Sequence, residues 1–358
     1  MRRKNIFALL LAMVMMMGLT ACGGGQDTTD SGDTASTTDS ETESTDVINY
    51  TISTDAQNRV QYCQALVDGV KEASGGRLVG EVLAANSLGT CNDMCQMLQL
   101  GTLSIMLSDD MSVDSNLNGA LGFAWLPGLV ADRDEAEKYY DHGWIADKCA
   151  EIMLENGLVR FGSFTNGFRQ VGNIVRPITE MSDLAGLKIR TPSVTSVVAF
   201  YEDCGALPVM IAGSEVLSAL QTGTVDGLDN SVYNYINQGV TDVVKYICEL
   251  NYCYSGGSFI AGSPFWDTLS EEDKAIFLEV GDQVGADFTD DFYAETERIT
   301  QEGIDNGQWV VTEPSEEMKA ALEEIYVGIW EESRELYGDE IIDTLVSGDY
   351  KTLSENNQ

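Results

Sequence analysis

Three features of the 358-residue chain predict an α/β fold. Short stretches of alternating apolar and polar residues are separated by helix-period stretches, first over residues 47–107 and again over 159–230. That order builds largely parallel sheets. About 310 residues follow a polar amino-terminal segment, enough for two lobes with a shared core. A helical pattern from residue 270 to about 306 would extend roughly 50 Å at 1.5 Å per residue, too long for one lobe.

The chain opens with Arg2, Arg3 and Lys4, an apolar run from Ile6 to Met17, and then Leu19-Thr20-Ala21-Cys22. A basic start, a short apolar core and small residues before a cut describe a secretory leader over residues 1–21. The core is too short to span a bilayer as a mature helix. Its Leu-x-Ala-Cys ending resembles a bacterial lipobox, which implies cleavage before Cys22 and lipid attachment at its sulfur. Several acyl chains, at about 0.8 kcal/mol per buried CH₂, anchor a protein stably. Residues 23–46 contain only Gly, Ser, Thr, Gln, Ala, Asp and Glu. Such a segment has too little apolar surface to fold, and its mean reach as a coil is about 25–30 Å. It reads as an acidic tether from Cys22 to the folded part.

Residues 47–53 then alternate as a strand. A helix over 58–74 places Val60, Ala65, Leu66 and Val70 on one face and ends at Gly75-Gly76. A strand at 78–83, a helix near 93–100 ended by Gly101, and a strand at 103–107 complete the unit. Asp109 follows at once, suited either to accept from a ligand hydroxyl or amine or to cap the next turn. Phe123 and Trp125 read as core, and residues 134–156 have helix period throughout, with His142 inside that helix.

Twenty basic residues stand against 58 acidic ones, a formal charge of −38, and loss of the leader removes three basic and no acidic residues. Nucleic acid is excluded as a partner, because phosphate binding needs a basic face. The global field also opposes anion capture, so any anion site must rest on a few deliberately placed arginines. Eight cysteines less Cys22 leave an odd number, so at least one is unpaired within the chain. With a single histidine and no Cys-x-x-Cys, no metal is expected. Nothing supplies a nucleophile elbow or a phosphate loop, so neither a cofactor nor catalysis is expected.

The stretch from Leu187 to Asn230 organises the rest. Leu187 and Ile189 alternate with Lys188 and Arg190 as a short strand, which Pro192 stops. Ser193 is placed to cap a helix running through Val197, Val198, Phe200 and Tyr201. Arg190 therefore falls at the carboxyl end of a strand beside a helix amino terminus, where open α/β sheets bind ligands and anions are favoured. A guanidinium fork there suits a carboxylate, although a structural ion pair would leave the same sequence trace. A second helix starts at Ser214-Glu215 and stops at Gly223, and Thr224 to Leu228 returns as a strand.

These residues also carry a resemblance. Arg190-Thr191-Pro192, Cys204-Gly205-Ala206-Leu207-Pro208, and the run from Glu215 through Leu220-Gln221-Thr222-Gly223 and Val225-Asp226-Gly227 to Asn230 are similar to the ordered motif of the solute-binding subunits of TRAP transporters, the DctP type. Phe123 to Pro127 and the run from Arg176 to Arg190 resemble further segments of that family, so the likeness covers residues 47 to about 345. It implies a two-lobed, periplasmic-binding-protein-like fold with a long helix spanning both lobes. Lobe 1 would hold residues 47–173 with about 256–297, and lobe 2 residues 174–255 with about 298–345, before a tail at 346–358. It also implies ligand contacts. Arg190 would be the carboxylate clamp, Arg176 fourteen residues earlier its helper, and Asn230 the amide completing the grip, with Asp109, Ser193 and Asp229 lining the site. Where several members of the family have an aromatic residue before the Ser-Glu pair, this chain has Gly213.

The expected function is an extracytoplasmic binding protein, lipid-anchored at the membrane, that captures a small-molecule carboxylate and delivers it to TRAP permease subunits. Gly213 leaves the pocket roomier unless Tyr233 or Tyr235 fills the gap, and Asp109 would repel a second carboxylate, which together favour a hydroxylated monocarboxylate such as a sugar acid over a C4-dicarboxylate. The alternatives are a binding protein of an ABC importer or sensor, and a secreted hydrolase using Asp226 and Asp229 as paired carboxylates.

Overall fold

The computed structural model describes residues 47–356. The leader, Cys22 and the tether lie outside the described residues. In chain order the strands are β1 (Ile48–Thr54), β2 (Leu78–Val82), β3 (Ile105–Asp109), β4 (Leu158–Phe168), β5 (Gln170–Asn173) and β6 (Lys188–Thr191). They continue with β7 (Leu207–Met210), β8 (Gly227–Asn230), β9 (Tyr246–Cys248), β10 (Tyr254–Gly262) and β11 (Val310–Thr312). Two sheets form, with orders β2-β1-β3-β10-β4 and β11-β9-β5-β8-β6-β7. Each has a parallel portion, β2-β1-β3 in the first and β8-β6-β7 in the second, joined to antiparallel strands.

The helices filling the strand–helix–strand units are α1 (Val60–Ala73), α2 (Cys91–Gln99), α3 (Trp144–Glu155) and α4 (Thr195–Asp203). The amphipathic face of α1 is buried through Tyr62, Cys63, Leu66, Val67 and Val70. Thr90 caps α2 in a reciprocal box with Asp93. The long pattern at 270–306 is one helix, α5 (Glu271–Asp305), started by Ser270 accepting from the Asp273 amide at 3.1 Å. Its first half packs on the first sheet, where Phe288 stacks on Tyr62 at 4.2 Å and on Phe164 at 4.4 Å. Farther along, Phe292 meets Tyr233 at 4.6 Å, and Ile299 joins the core of the second sheet with Trp309. The helix therefore serves both lobes. It lies close on β4 because a Cβ at Gly285 would fall 2.1 Å from the Ser163 carbonyl oxygen. That contact tolerates only glycine.

The chain changes sheet at two further places: through Arg169, between β4 and β5, and through residues 249–253, between β9 and β10. The first change comes earlier than the expected division at 173, because all of β5 already pairs with β8 and β9 in the second sheet. Residues 134–156 are not one helix. A π-helical stretch at Ala136–Asp141 is followed by extended backbone at Gly143, and only then by α3. A Cβ at Gly143 would meet the Lys138 carbonyl at 2.6 Å, so the break accepts only glycine there. The segment expected as a tail is structured too. After α6 (Glu316–Glu332), helices at Asp339–Ser347 and Asp349–Asn356 return to the first lobe. There Ser354 accepts from the Trp144 amide at 2.8 Å and Tyr350 donates to the Leu129 carbonyl. All seven cysteines among the described residues are free and buried.

Candidate functional site

The strand directions decide where a site can form. In the second sheet Gln170 of β5 pairs with Asn230, so the carboxyl end of β8 lies at the Arg169 crossing. β6 runs parallel to β8, with Arg190 opposite Leu228, which brings Arg190 to the same end. In the first sheet β10 leaves the 249–253 crossing and runs antiparallel to β3, so Asp109 at the end of β3 also faces the crossings. Carboxyl ends of parallel strands from both sheets thus converge where the chain passes between lobes. Open α/β sheets bind ligands at such ends.

Arg190 is 6% exposed, and its Nε donates to the Ile211 carbonyl at 2.7 Å. No carboxylate pairs with it among the described residues. Three other arginines have deeply buried side chains, and each has a counter-charge. Arg59 is held by Asp55 at 2.8 Å and Asp109 at 3.3 Å, Arg160 by Asp110 at 3.1 Å, and Arg169 by Asp229 at 2.5 Å. The contrast shows in their proton affinities. Burial and the neighbouring Arg169 lower the Arg190 guanidinium to about 10, only partly offset by Asp229. At Arg169 burial also pulls downward, but Asp229 together with Tyr252 more than offsets it and the guanidinium is raised. Arg190 stays charged at neutral pH as an uncompensated buried cation, an arrangement that favours an anion.

Arg169 received no role from the sequence, and it is central here. Its Nε donates to Asp229 Oδ2 at 2.6 Å and its Nη2 to the Asp229 carbonyl at 2.9 Å. Tyr201 and Tyr252 hydroxyls donate to Asp229 Oδ1 at 3.1 and 2.9 Å. The carboxylate is fully engaged and 0% exposed, so Asp229 acts behind the site as the anchor of Arg169 and not as a ligand contact. Asp226 accepts from the Lys188 amide at 2.9 Å. The two carboxylates are engaged by separate partners, which leaves the hydrolase alternative without its pair.

The other expected residues divide. Asn230 sits half-buried at the crossing end of β8, its Oδ1 accepting from the Ser231 amide at 2.9 Å and from Asn234 Nδ2 at 3.3 Å. Asn234 Nδ2 also reaches Asn166 Oδ1 of β4 at 3.2 Å, so amides from both lobes meet here. Asp109 caps the short helix Asp110–Asp114 by accepting from the Ser112 amide at 2.8 Å, and it pairs with Arg59. Two residues on, Met111 Sδ lies 3.9 Å from Arg169 Nη1, so this cap borders the crossing. Burial raises the neighbouring Asp55 carboxyl, Arg59 opposes the rise, and Asp109 adds to it.

Arg176 and Ser193 do not join them. Arg176 lies beyond Asn173, at the end of β5 opposite Gly227 and away from the crossings. Its guanidinium donates to the Asp183 and Ala185 carbonyls at 2.9 and 3.0 Å, closing the end of the Met181–Leu184 helix. The fourteen-residue spacing to Arg190 therefore pairs the wrong arginine with it. Ser193 is exposed and caps nothing, because Val194 is the residue preceding α4.

Known proteins resemble this chain in sequence and fold. The model of the bacterial extracellular solute-binding proteins, family 7 (DctP), matches residues 50–335. The C4-dicarboxylate-binding periplasmic protein DctP of Rhodobacter capsulatus is 33% identical over 272 residues, 75% of this chain and 80% of that one. A solute-binding protein of Verminephrobacter eiseniae is 28% identical over 214 residues, 60% of this chain and 63% of its own length, so the match spans just under two thirds of that relative. Among solved structures, a TRAP periplasmic solute-binding protein of Polaromonas bound to D-erythronate superposes with a TM-score of 0.71 at 26% identity, covering 83% of this chain and 97% of that one.

Proposed function

Because the chain belongs to the bacterial extracellular solute-binding proteins of family 7, we propose that it captures a small organic acid between its lobes for a TRAP transporter. The observation that carries this reading is Arg190, a buried guanidinium left without a carboxylate where its three buried counterparts each have one. An isolated buried charge is costly, and a ligand carboxylate relieves that cost through charge-assisted bonds worth about 1.5–3 kcal/mol each. Asn230 lies at the same strand ends to add an amide contact.

The charge balance narrows the ligand. Asp229 neutralises Arg169, and on the first-lobe side Arg59 faces both Asp55 and Asp109. One positive charge remains for the ligand, which favours a monocarboxylate carrying hydroxyls over a dicarboxylate. The relatives just described are named for, or hold, ligands of both kinds, a C4-dicarboxylate in one and D-erythronate in another.

Delivery follows from the leader and the tether. Cleavage before Cys22 and lipid on its sulfur would hold the domain at the outer face of the membrane, within reach of the permease subunits. Closure of the lobes on the ligand is a shift toward the closed state in proportion to its extra affinity there. A thermal-shift screen against hydroxy acids, sugar acids and C4-dicarboxylates tests the proposal. Hydroxylated monocarboxylates are expected to raise the melting temperature and to be recovered unchanged after denaturation. Chemical conversion of the bound acid would overturn it.

A further inference from the structure

Gln238 ends the helix Val232–Asn237, with its amide nitrogen fixed by the Asn234 carbonyl at 3.0 Å. Gly239 follows at φ +66° and turns the chain sharply, so the backbone here is held on both sides. The side chain is not. Gln238 is half-buried, and its Oε1 is a buried atom without a hydrogen-bond partner. Buried acceptors are seldom left so, and each one calls for a physical reason.

The reason lies in what the side chain borders. A Cβ built on Gly213 would lie 3.4 Å from Gln238 Nε2 and 3.8 Å from Arg190 Nη2, with no other atom within 4 Å. The amide and the buried Arg190 guanidinium thus edge the same small space above Gly213. A molecule whose carboxylate is held by Arg190 presents its next atoms to Gln238.

We propose that Gln238 is a specificity-determining residue of this site, and that it reads a hydroxyl on the carbon beside the carboxylate held by Arg190. The inference rests on the carboxylate-capture reading and narrows it to 2-hydroxy acids. A hydroxyl both donates and accepts, so it satisfies the amide whichever end is turned toward it. A methylene satisfies neither end. A second carboxylate accepts from Nε2 alone and is repelled by Oε1. Sites built to bond a ligand hydroxyl discriminate strongly against analogues that lack it, because their own buried groups are then left unpaired.

The test is calorimetry on the mature protein with D-erythronate and D-gluconate, each beside its 2-deoxy counterpart. The wild type is expected to bind the better hydroxy acid at least about 10-fold more tightly than its 2-deoxy counterpart. Gln238→Leu is expected to bring that ratio close to one, through loss of the hydroxy acid, and to leave the melting temperature unchanged or higher. Gly213→Tyr fills the same space from a different element and is expected to lose the hydroxy acid in a fully folded protein. Arg190→Ala serves as the reference and is expected to lose both members of each pair. A wild type that binds both members equally, or a Gln238→Leu variant that keeps the preference, overturns the role of Gln238 while carboxylate capture stands. A wild type that binds none of the four acids overturns the capture reading and this proposal with it.

Discussion

Asp229→Asn perturbs the arrangement at its most consequential point. The substitution keeps the shape of the side chain and one oxygen, but removes the charge that faces Arg169 at 2.5 Å in a fully buried setting. Breaking a buried ion pair from one side leaves the other charge unpaired and costs about 3–5 kcal/mol. At roughly 2.1 cal/mol/K per residue over about 310 ordered residues, that corresponds to a fall in melting temperature of about 5–8 °C. Circular dichroism melts of wild type and variant at neutral pH read it directly. Tyr201→Phe is the control, since it removes one hydroxyl donor to Asp229 and keeps the ion pair, at a cost of about 1 kcal/mol. A second readout follows from charge. With Asp229 neutral, Arg169 joins Arg190 as an uncompensated cation, so succinate should stabilise the variant more than it stabilises the wild type. A fall below about 2 °C with no change toward succinate would refute the claim that Asp229 balances the charge of Arg169 behind the site.

Two further perturbations test the scaffold. Asp141 is buried beside Tyr254, and burial pushes its carboxyl up to about 7, against the opposing pull of the Tyr254 hydroxyl and Arg160. Its native form binds a proton more readily than the unfolded chain does, so this group lowers stability as pH rises from about 4 through 7. Asp141→Asn should therefore gain stability relative to wild type at pH 8 over pH 5, on the order of 1–4 kcal/mol by urea denaturation, and equal curves at both pH values would contradict the assignment. Gly285→Ala drives a methyl into the Ser163 carbonyl, 2.1 Å from the ideal Cβ, and should cost about 1–3 kcal/mol with a shortened unfolding midpoint. Unaltered stability would mean that α5 does not rest on β4 as described.

Much of this was legible in the sequence because the signals are local. Strand alternation, glycine stops and helix period mark β1, α1 and α5 within a few residues, and Arg190 and Asn230 fall on an ordered motif. What the sequence hid is non-local. Arg169 and Asp229 are 60 residues apart, and nothing near either one announces the other. The available hint was an arginine between Phe168 and Val171, where burial demands an acidic partner, and Asp229 is the only acid between Gly227 and Asn230. Spacing suggested Arg176 instead, but a regular spacing says nothing about which end of a strand a residue occupies. Gln238 gave no signal at all, since its meaning depends on Gly213 standing across a space from it. The break at Gly143 and the return of the last two helices are likewise set by contacts with residues more than 200 positions away.

The account stands most directly on the affinity of Arg190→Ala and Arg190→Lys for the acid that best stabilises the wild type, measured by calorimetry on protein whose melting curve shows it folded. Loss of binding in the alanine variant is expected, with the lysine variant weakened by at least about 10-fold because a point charge replaces the planar fork. Wild-type affinity in either variant would contradict the account.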